Sequence, residues 1–110
     1  MAYDEGAAEL MRAELADATG ITERRMFGGL CFLKHGNMVC GVHQGGGMAR
    51  VGKQAEAEAL QIPGISPLSF TGRRMGGMVE MTQDALDDDA RRAQLIRMAL
   101  AYASTLPPKP

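Results

Sequence analysis

Between Asp4 and Ala18 the apolar residues recur at spacings of three and four. Ala7, Met11, Leu15 and Ala18 form one stripe, with Leu10 beside them. That period predicts a first helix. Asp4 and Glu5 open it, where acids favour the positive end of the helix dipole, and Gly20 follows as a C-cap. From Thr22 the pattern changes to extended apolar runs. The stretch from Arg24 to Val51, RRMFGGLCFLKHGNMVCGVHQGGGMARV, reads as three consecutive antiparallel strands around which the chain is organised. They cover Thr22 to Lys34, Met38 to His43 and Met48 to Val51. His35-Gly36-Asn37 is the first turn and Gln44 to Gly47 the second, because Gly and Asn tolerate positive φ. Gly28-Gly29 within the first run marks a bulge, a bend or a further turn.

Gly52 to Gln61 carries strong helix formers and is a short second helix, stopped by Pro63-Gly64. Leu68 to Thr71 and Met75 to Met81 alternate as two more strands, with Gly72-Arg73-Arg74 turning between them. A third helix runs from Asp84 to Ser104, with Leu86, Ala90, Ala93, Ile96 and Leu100 along one face. The order is α-β(3)-α-β(2)-α. An antiparallel sheet with helices covering one face is a two-layer α+β fold. The 110 residues read as one domain, and a chain of that size buries about two-thirds of its unfolded surface without metal or disulfide staples.

The formal net charge of −1 predicts neither a nucleic-acid nor a membrane partner from bulk charge alone. The charge is unevenly placed. Residues 1–20 carry one Arg against five acids, 21–79 seven bases against three acids, and 80–110 four bases against five acids. A basic patch must therefore come from the middle. The start MAYDEGAAEL is acidic and lacks the apolar core of a signal peptide, and no apolar run approaches a membrane span. This predicts a cytoplasmic protein with reduced thiols. Nine Met and no Trp predict a Met-rich core.

Cys31, His35, Cys40 and His43 lie within thirteen residues and invite a zinc site. Extended geometry argues against it. Cys31 and His35 stand roughly 13 Å apart on a strand, and Cys40 and His43, an odd number apart, point to opposite faces. A Cys31–Cys40 disulfide depends on register, and in neither register weighed here do the two lie directly opposite. With Gly36-Asn37 as the turn they are diagonal on one face. With His35-Gly36-Asn37 as the loop, Phe32 faces Cys40 and the cysteines take opposite faces. Neither the Gly45-Gly46-Gly47 run nor Asp87-Asp88-Asp89 has the spacing of a phosphate or calcium loop. No catalytic constellation, cofactor or metal is expected.

The basic residues remain. Arg24, Arg25, Lys34, Arg50, Lys53, Arg73 and Arg74 are candidates for an anion- or partner-binding patch, against the plain alternative of surface arginines that protect sheet edges. Arg24-Arg25-Met26-Phe27-Gly28-Gly29 is echoed by Arg73-Arg74-Met75-Gly76-Gly77. If the two strands are neighbours, Arg24, Arg25, Arg73 and Arg74 come together. Chance is the competing explanation of the echo.

The run Arg25-Met26-Phe27-Gly28-Gly29-Leu30-Cys31-Phe32 resembles the N-terminal domain of the TfoX/Sxy family of bacterial competence regulators. So do Gly36-Asn37-Met38, Cys40-Gly41-Val42, Met48 to Gly52, Phe70 to Arg73 with Met75, and the Leu-Asp-Asp-Asp start of the last helix. The resemblance covers essentially the whole chain in order. It implies an α-β(3)-α-β(2)-α domain and a role in regulating competence-gene transcription, with no catalytic residue or cofactor. The named regulators carry a second, C-terminal domain without counterpart in these residues, so the resemblance implies an isolated interaction module. The expectation is a regulatory, non-enzymatic module with a protein partner, itself included as a homodimer. The alternative is direct nucleic-acid binding through the central arginines. A third reading is a small-molecule binder or enzyme using Cys31 or His43.

Overall fold

The computed structural model describes residues 3–26, 28–70 and 73–109, without the side chains of 69, 70, 73 and 74. Its element order is α1 (Glu5–Glu14), β1 (Ile21–Met26), β2 (Gly29–Lys34), β3 (Asn37–His43), β4 (Gly46–Arg50), α2 (Glu56–Ala59), β5 (Ile65–Phe70), β6 (Arg73–Thr82), α3 (Gln83–Asp87) and α4 (Asp89–Ala103). The strands form one antiparallel sheet in the order β1-β2-β3-β4-β6-β5. The helices pack on one face of it, which is the expected α+β arrangement.

The strand count is corrected from three to four in the first run. Gly28, at φ 72, belongs to a turn between β1 and β2, which then pair Met26 to Gly29. A left-handed residue there costs a side-chain-bearing residue roughly 1–2 kcal/mol and costs Gly almost nothing. Phe27, read as part of this strand, lies outside the described residues, as do Thr71 and Gly72 of the expected second turn.

The last helix is likewise two. Asp88 is extended, with φ −87 and ψ 117, and its Oδ1 accepts from the Arg91 backbone N at 3.0 Å. Asp stabilises a helix start better than a helix interior, so the chain restarts there. Thr82 caps α3 in the same way, accepting from Ala85 N. The first helix ends at Glu14, earlier than expected, because Leu15 completes the buried stripe and Ala16 and Asp17 beyond it are exposed. The second helix is a single turn that lacks a side-chain cap. Pro67 fits within β5 because β5 is an edge strand.

Away from the turn the β2–β3 hairpin follows the second expected register, with Phe32 opposite Cys40 and the cysteines on opposite faces; next to the turn it follows neither. The turn is His35-Gly36, at φ 50 and 85, and Lys34 faces Asn37. The register shifts beside Phe32 and Leu33, so Val39 is an extra residue on β3 and Phe32 faces Cys40. The bulge turns Cys40 to the helix side while Cys31 stays on the other.

The main core lies between sheet and helices. Met11, Phe32, Val42, Ala49, Val79, Leu86, Leu95 and Ile96 meet there, all essentially inaccessible. A second apolar cluster occupies the opposite face: Cys31, Leu33, Met48, Leu68 and Met78, with half-buried Met26, Met38 and Met75 against it. The described helices belong to the other core, yet the five buried members of this cluster are no more than 7% exposed. Five of the nine methionines stand on this face.

Candidate functional site

The sulfur and imidazole groups do not converge. Cys31 pairs across the sheet with Gly41 and Cys40 with Phe32, so the thiols sit on opposite faces, both buried and free. Burial pushes the Cys31 thiol up to about 11. Burial raises Cys40 still further, and neighbouring Cys31 adds to it. Neither presents a thiolate at neutral pH. His35 is exposed at the hairpin turn, where its C=O accepts from Lys109 N at 2.8 Å, and His43 Nδ1 lies 3.1 Å from Gln44 O. Among the described residues no group of His, Cys, Asp and Glu has the arrangement to hold a metal.

Arg24 and Arg25 stand exposed on β1, an edge of the sheet. They point to opposite faces, Arg24 opposite Cys31 and Arg25 opposite Leu30. Arg73 and Arg74 lie on β6, and their side chains are outside the described residues. The condition under which the echo would bring Arg24, Arg25, Arg73 and Arg74 together is not met: β2, β3 and β4 lie between β1 and β6. The echo has a backbone reading instead. Gly28 and Gly77 both have positive φ, 72 and 79.

The concave feature lies elsewhere, between the end of β4, the loop before α2, and α4. It is an open cleft of about 830 Å³. Arg50 enters it half-buried, with its guanidinium carbon 5.3 Å from the centre of the Tyr102 ring. Gly52, at φ 84, lets the chain pass against that ring, since a Cβ there would fall 2.5 Å from it. Gly77 O accepts from both Val51 N and Gly52 N, and Gly77 N donates to Glu56 Oε1 at 3.3 Å. Sequence reasoning placed Arg50 and Lys53 in a diffuse basic segment and did not bring Tyr102 to them. The signal for their meeting was the pair of glycine positions, 52 and 77, that lets three backbone segments close up.

The model of the family described as the TfoX N-terminal domain matches residues 13–103. The chain belongs to that family. Neither the curated proteins nor the solved structures gave a match. The TfoX N-terminal domain is a regulatory-type, competence-regulator-like family. The stretch of this TfoX N-terminal domain that matches takes in all six strands and every lining residue of the cleft except Thr105. Among the described residues no helix is long and apolar enough to cross a membrane.

Proposed function

We propose that this TfoX N-terminal domain is a non-enzymatic regulatory module that acts by binding protein, a second copy of itself included. The observation that supports this reading is the sheet face away from the helices. Met26, Met38 and Met75 stand half-buried at the margin of its apolar cluster. Methionine is unbranched and polarizable, and it adapts to partners of different shape. The β1 edge, by contrast, exposes Thr22, Glu23, Arg24 and Arg25, and charges there discourage strand-to-strand pairing. The half-buried methionine margin is the apolar surface we assign to association.

Capture with immobilised wild-type chain tests it. Tagged wild-type chain is retained, with or without nuclease, and tagged Met38→Glu chain is not. Equal retention of both contradicts the role of this face. The nucleic-acid alternative draws on the exposure of Arg24 and Arg25. It requires retention that nuclease abolishes, a steep dependence on salt, and loss of binding when Arg24, Arg25, Arg73 and Arg74 are replaced together by Ala.

A further inference from the structure

Arg50 is held unlike three other described arginines of the helix side, Arg97 being simply exposed on α4. Arg12 is paired with Glu9 and Glu23, Arg91 with Asp88, and Arg92 with Glu14 and Asp89. Among the described residues Arg50 has the Tyr102 ring for its face and no carboxylate for its edge. With the ring centre 5.3 Å from the guanidinium carbon and no carboxylate on it among the described residues, the forked N–H donors of Arg50 suit a planar or tetrahedral anion gripped at two points.

The surroundings suit a ligand with one charged end. Lys53, exposed on the loop before α2, adds a second positive charge. Val51, Met98 and Ala101 supply an apolar wall. Gly77 carries no side chain, and a Cβ there would meet the Gly52 backbone at 3.1 Å, so the two backbone segments close up to form the floor. The acids are placed to the side: Glu56 accepts from the Gly77 backbone, and Glu58 lines the α2 lip. Glu58 disfavours a second negative group at that end. The volume, about 830 Å³, lies within the roughly 300–1,000 Å³ of small-molecule sites.

We infer that this cleft binds a small organic anion, a carboxylate or phosphate monoester clamped by Arg50 and assisted by Lys53, with an apolar body on Val51, Met98 and Ala101. The site goes beyond the protein-binding reading and does not depend on it, since it lies on the helix side of the sheet.

The test is an NMR titration of the ¹⁵N-labelled chain with phenyl phosphate and with phenylacetate. Inorganic phosphate and benzyl alcohol serve as controls lacking the apolar body and the charge. Saturable shifts at the amides of Gly52, Lys53, Gly76 and Gly77 are expected with at least one aromatic anion, and which one binds separates the phosphate from the carboxylate source. Arg50→Gln weakens that affinity by about tenfold or more. Lys53→Gln, at an exposed position that leaves the fold intact, weakens it by about threefold. The inference is overturned by absence of saturable shifts with both anions, by either control binding as tightly, or by unchanged affinity in Lys53→Gln.

Discussion

Arg92 of α4 donates from Nε to Glu14 Oε2 of α1 at 2.9 Å, with the Arg92 side chain 7% exposed and that of Glu14 22%. The same guanidinium donates to Leu86 O at 2.8 Å and to Asp89 Oδ1 at 2.8 Å. It therefore ties the first helix, the end of α3 and the start of α4 into one layer. Removing it leaves a partly buried carboxylate and a carbonyl without their donor. Arg92→Met is expected to destabilise the fold by about 3 kcal/mol, and Glu14→Gln by about 1 kcal/mol. Asp89→Asn changes little, because that partner is 91% exposed. Urea denaturation of the three variants reads the order directly.

The two glycines of the RRMFGG motif do different work. Gly28 has φ 72 and open space where a Cβ would stand, so Gly28→Ala costs only the left-handed backbone, about 1–2 kcal/mol. A Cβ on Gly29 would stand 2.0 Å from Val42 O, which is backbone and cannot move aside. Gly29→Ala must open the β2–β3 ladder. Its loss exceeds that of Gly28→Ala and reaches about 3 kcal/mol or more. Thermal melts of the two single variants check the order.

Acid should weaken the fold through two identified carboxylates. The hydrogen bond from Arg12 holds Glu23 below the usual range against the opposing effect of burial, and the Arg12 charge adds to it. The backbone N–H of Arg91 holds Asp88 low, again against burial. A carboxyl group lowered in the folded state contributes stability above its unfolded value, about 3.9 for Asp and 4.3 for Glu. That contribution disappears as pH falls through the folded value. The urea midpoint is therefore flat near neutrality and declines below about pH 4. Glu23→Gln makes the decline shallower.

At the alkaline end the sign reverses. Burial raises Cys31 to about 11 and raises Cys40 too, against about 8.5 for a free thiol. Their contribution is complete below about pH 8.5 and is lost as pH rises toward the folded values. At neutral pH a thiol reagent should label neither cysteine in the native chain and both in urea. Rapid native labelling at Cys31 contradicts the buried placement.

Features that depend on neighbours in the chain were legible beforehand. The Ala7-Met11-Leu15 stripe gives α1 and His35-Gly36 belongs to a turn, whereas the helix expected over Gly52–Gln61 shrinks to Glu56–Ala59, which ends before Pro63-Gly64 is reached. The break at Asp88 lies within the Asp87-Asp88-Asp89 run, a local pattern whose middle member is a helix cap. What could not be read depends on partners across the sheet. The sequence left two registers open for Cys40, and the Val39 bulge, which joins a short His35-Gly36 turn to the Phe32–Cys40 pairing, settles which face it takes. Gly46 and Gly47 looked like a floppy turn, but they lie in β4, close against Met81 O of β6 and the Met11 and Leu86 side chains. The Arg50–Tyr102 cleft likewise joins the end of a strand to the last helix, and no local pattern announces that meeting.

The measurement that tests the central claim most directly is sedimentation equilibrium of the wild-type chain and of Met38→Glu across a wide concentration range. The account predicts that the wild-type mass approaches twice 11.8 kDa as concentration rises. It predicts that Met38→Glu stays at the single-chain mass with unchanged circular dichroism. A wild-type chain that remains monomeric throughout, or a Met38→Glu chain that associates as strongly, would contradict the methionine face as the surface of self-association.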